Sequence, residues 1–112
     1  FPRNGQYPEQ MFSCCKDILF AEQLKKGEFK NGFERAFLII FADDPLFYSG
    51  KYCDGIYRYF RAKEKLSDFV PKPTGPEEEK EKKGIQLGGK YNIEWFPVPQ
   101  NDKLKYAVIE AQ

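Results

Sequence analysis

A chain of 112 residues has the length of one domain, enough to bury a core without disulfides or a metal. Its net charge of +1 gives no global attraction to DNA, a membrane or an acidic substrate, so any basic patch must be balanced by an acidic one. Aromatic residues make up 17% of the chain, eleven of them Phe, and each buried ring removes on the order of 150–250 Å² from water.

Histidine is absent. That excludes Ser-His-Asp and Cys-His nucleophilic catalysis, histidine general bases and histidine-containing zinc sites. The three cysteines, Cys14, Cys15 and Cys53, are odd in number and two are adjacent, which argues against a disulfide framework. They read as free thiols of a reducing, cytoplasmic compartment. No apolar run approaches the roughly 20 residues of a membrane span, so no membrane partner is expected.

In chain order, Pro8 suits a first helical position and Glu9 its positive first turn. Phe12, Cys15 and Leu19, beside Met11 and Ile18, keep helical spacing, and Lys25, Lys26 and Gly27 form a good C-terminus. A helix over 8–26 follows. The seven apolar residues 36–42, rich in Ile and Phe, predict a strand covered on both faces. Asp43, Asp44 and Pro45 end it as a turn, and a short strand is expected over 46–48.

The stretch "DGIYRYFR", 54–61, predicts the start of a second helix capped by Asp54. Ile56, Tyr59, Phe60 and Lys63 share one face, and Leu66 extends it. Residues 71–83, "PKPTGPEEEKEKK", read as an exposed loop. "LGGK", 87–90, marks a strand bend or bulge. Residues 91–96 and 104–109 then alternate as two strands of an antiparallel hairpin turned by "PVPQND". The expected fold is α/β or α+β, a small three- to four-stranded mixed sheet packed by two helices in a single domain.

Two groups of residues carry the functional expectations. At the end of the last strand, Glu110 and Gln112 fall on one face, with Glu94 on the strand before. Carboxylates so placed could hold Mg²⁺ (Glu94 and Glu110) while Gln112 positions water for phosphodiester hydrolysis. The adjacent cysteines point about 100° apart on a helix and suit burial better than metal binding. Along the second helix, Arg58, Arg61, Lys63 and Lys65 could reach phosphates, and Tyr57 could stack on a base.

"YPEQMFSCCKDILFAEQL" leading into "FERAFLIIFADDPLFY", with "GIYRYFR" beyond, resembles the half of a PD-(D/E)xK, type II restriction-endonuclease-like nuclease that follows its catalytic strand. The match covers about residues 7–61, with Gln10 near the family's helical glutamine. The resemblance implies a DNA-associated domain and a Mg²⁺ cofactor, and it places the metal-binding strands upstream of Phe1. The other reading is a small intracellular protein-interaction module. It needs no metal, and its aromatic-rich surface would meet a protein partner or a second copy in a homodimer.

Overall fold

The structure is a computed structural model that describes residues 6–27 and 33–112. The fold is α+β. Its long helix is α1 (Gln6–Lys26), and three short helices are α2 (Pro45–Tyr48), α3 (Tyr57–Phe60) and α4 (Glu77–Lys82). The strands are β1 (Phe37–Ala42), β2 (Leu66–Val70), β3 (Ile85–Tyr91), β4 (Phe96–Val98) and β5 (Asn101–Glu110). They form two antiparallel sheets, β1-β5-β4 and β2-β3, where one mixed sheet was expected. The tight turn between β4 and β5 dictates the antiparallel pairing of those two strands.

Helix α1 forms where its periodicity predicts. Tyr7, Met11, Cys15, Ile18 and Glu22 are all buried, one turn apart down a single face. Lys25 and Lys26 meet the negative end, and Gly27, at φ 81°, supplies the left-handed residue that stops the helix. This face packs on both β1 and β3, so α1 ties the two sheets together. Burial holds the Cys14 thiol well up, at about 12, and raises Cys15 further; both behave as small core hydrophobes.

Strand β1 departs from expectation. Ile40 and Ala42 are buried, whereas Phe37, Ile39 and Phe41 are exposed. The strand is covered on one face only, because α1 lies on the inner side of its sheet and nothing among the described residues covers the outer side. An unbroken apolar run has no alternation from which one-sided burial could be read.

The segment 46–48 is a helical turn, not a strand. Asp44 Oδ1 accepts from Leu46 N at 3.0 Å, and Pro45 occupies the first helical position. The Tyr7 hydroxyl also donates to Asp44, so the expected turn residue is a tertiary anchor as well.

The second helix is a single turn, Tyr57–Phe60, and Asp54 does not cap it; Ile56 holds that position without a side-chain bond. Ile56, Tyr59 and Phe60 are buried as expected, while Lys63 is exposed. The helix stops because Arg58 O accepts from both Lys63 N and Glu64 N, and Ala62 takes φ 59°. That turn releases Leu66 to pair with Tyr91 in β2-β3. Phe60 sits at the centre of the core, with the Phe47 ring edge-on at 5.6 Å and Trp95 Nε1 donating to Phe60 O at 2.8 Å.

In the charged stretch, α4 forms with Lys80–Glu77 and Lys83–Glu79 ion pairs and no buried residue. Tyr91 ends β3, residues 92–95 are irregular, and β4 pairs β5 around a tight turn at Pro99 and Gln100.

Candidate interaction surface

The alternation of β5 sets the outer face of the three-stranded sheet. Ala107 and Ile109 point inward and are buried, so Tyr106, Val108 and Glu110 point outward. The register places Ile39 opposite Val108, Phe41 opposite Tyr106, and Tyr106 opposite Phe96. Ring centroids are 6.3 Å apart for Phe41–Tyr106 and 5.7 Å for Phe96–Tyr106. Phe37, Ile39, Phe41, Phe96 and Val108 are 49%, 55%, 66%, 44% and 48% exposed. At roughly 150–250 Å² per ring, this face offers on the order of 500 Å² of contiguous apolar surface.

One end of the face is charged. Arg35 binds Glu110 through two bonds, at 2.8 and 3.0 Å, and its guanidinium lies 4.9 Å from the Phe37 ring. The pairing holds the Glu110 carboxyl below its ordinary range and the Arg35 guanidinium above its own.

The proposed metal residues do not assemble. Glu110 is held by Arg35. Gln112 faces Lys90, accepting from its N–H at 3.0 Å and donating to its carbonyl. Glu94 is exposed in the irregular 92–95 segment. Among the described residues no group of three or more Cys, Asp or Glu side chains could hold a metal ion.

The basic cluster is largely occupied by the chain itself. Arg61 donates to Leu46 O at 3.2 and 2.5 Å and to Tyr52 O at 2.5 Å, with its guanidinium 4.3 Å from the Tyr57 ring. Arg58 donates to Gly55 O at 3.2 Å and the Tyr59 hydroxyl at 2.7 Å; its Nε lies 3.2 Å from Glu64 without the angle of a hydrogen bond. Lys63 and Lys65 are exposed. Tyr57 is half-buried, edge-on to Tyr52 at 5.3 Å. A cleft of about 270 Å³ opens beside this turn, lined by Tyr57, Arg58, Lys72 and Lys80 among others. Lys72 is bonded to Glu9 and Lys80 to Glu77, so its cations also have partners within the chain.

A buried carboxylate escaped the sequence reading. Glu22, 1% exposed, accepts from Gly88 N and Gly89 N at 2.9 Å each and from the Tyr91 hydroxyl at 2.5 Å. A bulge makes these amides available. Ser67 pairs with Lys90 and Phe69 with Gln86, leaving Leu87, Gly88 and Gly89 opposite Asp68 alone. The signal was present: Glu22 continues the buried stripe 11-15-18 of α1, and the double glycine sits inside a strand.

No protein-family model, no curated protein and no solved structure matches the chain. Among the described residues no helix is long and apolar enough to cross a membrane.

Proposed function

We propose that this protein is a protein-interaction module that docks a partner on the outer face of the β1-β5-β4 sheet. The observation that carries the reading is the clustering of Phe37, Ile39, Phe41, Phe96 and Val108 on one uncovered face. A patch of this size on a small domain is of the kind used for recognition. Its aromatic centre and the Arg35–Glu110 pair at its border match the composition of interfaces, apolar inside and polar at the rim.

A DNA-associated, restriction-endonuclease-like role has the weaker support. Arg58 and Arg61 direct their donors to the chain itself, and Glu110 and Gln112 are engaged by Arg35 and by the Lys90 backbone. Site-specific photo-crosslinking in cells tests the interaction reading. A photo-reactive phenylalanine analogue replacing Val108 is expected to capture a discrete protein, while the same analogue replacing exposed Lys63 is not. Equal, diffuse labelling from both positions would overturn the reading.

A further inference from the structure

Strand β1 is the edge of its sheet. It pairs with β5 on one side and with nothing among the described residues on the other. Ala111 N donates to Ala36 O at 2.9 Å, on the continuation of the β1–β5 register. Alternation then fixes the rest of the ladder. Leu38, Ile40 and Ala42 turn their backbone groups toward β5, and Phe37, Ile39 and Phe41 turn theirs to the open edge. The residues with exposed side chains are therefore also those whose backbone groups have no strand partner among the described residues.

Protein edges of this kind are normally blunted by a charge, a proline or a bulge. Phe37–Ala42, "FLIIFA", has none of these. Two clefts, of about 330 and 170 Å³, open along the α1 side of the same strand, the first beside Phe37 and Leu38, the second beside Ile40 and Phe41.

The outward residues form a self-complementary series: Arg35, Phe37, Ile39, Phe41, Asp43, all exposed. A two-fold axis at Ile39 sets Ile39 against its own copy and Phe37 against the second copy's Phe41. Arg35 holds Glu110 through Nε and Nη2, and its remaining Nη1 would face the second copy's Asp43. Opposite charges then meet at both ends of the paired strands, and apolar side chains meet between them. In this register every facing pair is of the hydrogen-bonded type, which gives about six new backbone bonds.

We propose that a second copy of this chain docks on the β1 edge in this antiparallel register, joining two three-stranded sheets into one of six strands. The inference goes beyond the interaction reading, because it concerns the edge of the sheet and not its outer face. Joining the sheets makes the outer aromatic face of the two copies continuous.

The test is the mass of the full chain by sedimentation equilibrium over a range of concentrations. The wild type should shift from 13.1 kDa toward twice that value. Ile39→Pro removes an N–H that faces the open edge, where proline is tolerated, so it should keep the fold and remain monomeric. Arg35→Asp and Asp43→Arg each place like charges together at both ends of the pairing and should weaken the dimer about tenfold. An equimolar mixture of those two variants restores both ion pairs and should recover dimer strength to within about threefold of wild type. A wild type that stays at 13.1 kDa overturns the proposal, as does a dimer insensitive to Ile39→Pro or a charge-reversed mixture that fails to recover. If Ile39→Pro fails to fold, the charge-reversed mixture decides alone. Capture of another protein at position 108 without dimer formation would sink this inference and leave the interaction reading standing. A dimer without such capture would do the reverse to the partner reading.

Discussion

The Tyr91 hydroxyl donates to Glu22 Oε2 across 2.5 Å and accepts from Gln112 N at 3.0 Å. Through that oxygen, helix α1, strand β3 and the residues after β5 are joined. The two amides of the β3 bulge complete the carboxylate's partners, so a charge that is nearly sealed from water has three donors around it.

Glu22→Ala leaves the buried Gly89 amide, the part-buried Gly88 amide and the Tyr91 hydroxyl without their acceptor. Each unsatisfied donor costs about 1–3 kcal/mol, partly relieved by entering water. A loss of about 3 kcal/mol is expected, read as a lower urea midpoint with an unchanged slope.

Gly89 and Gly88 separate two roles of the bulge. A Cβ at Gly89 would lie 2.7 Å from the Tyr91 oxygen and 2.8 Å from Gln112 Cβ, whereas at Gly88 the nearest atom, Lys26 Nζ, is 3.4 Å away and at the end of a flexible chain. Gly89→Ala should cost about 1–3 kcal/mol and Gly88→Ala under 1 kcal/mol. Thermal denaturation of the two variants side by side gives the comparison.

Stability should fall at high pH. Burial, with Glu22 beside it, raises Tyr91 from 10.0 to about 12, and the bond to Asp44 raises Tyr7 to the same region. A folded-state value above the unfolded one means stability that is whole below pH 10 and lost as pH rises from 10 through 12. Urea midpoints across that window should drop for the wild type and less steeply for Tyr91→Phe. At the acid end the sign reverses. Asp44, held down by the Tyr7 hydroxyl, contributes stability above its unfolded value of 3.8 that is lost as pH falls below it.

Arg61 is a strut in this account. Its guanidinium joins the carbonyls of Leu46 and Tyr52 and stacks on Tyr57. Arg61→Lys cannot reproduce that fork and should cost about 1–2 kcal/mol. Duplex DNA at low salt should show no affinity that depends on Arg61. A salt-steep affinity lost in the variant would instead revive the DNA reading.

The sequence made some of this legible for clear physical reasons. Helix α1 carried periodicity, a C-terminal glycine and end charges that agreed, although it begins at Gln6, two residues before the Pro8 expected in first position. The burial of Ile56, Tyr59 and Phe60 followed from their spacing, although the helix holding them is one turn long. What stopped that helix, the double acceptance by Arg58 O and the left-handed Ala62, has no residue signature. The one-sided burial of β1 was hidden because its inner and outer residues are equally apolar. The exposed apolar face therefore became visible only with the register of β5. Glu94 and Glu110 looked like partners on adjacent strands, but residues 92–95 are irregular and Glu110 turns to Arg35.

The outer sheet face is proposed to bind a protein partner. The most direct measurement is the affinity of the partner captured at position 108 for the wild type and for Val108→Asp. Val108 is 48% exposed and faces Ile39 across the β1–β5 pair, so the substitution should leave the thermal midpoint nearly unchanged. A charge placed in the apolar centre of an interface should weaken binding by at least about tenfold. Equal affinity of the two proteins for that partner would contradict the account.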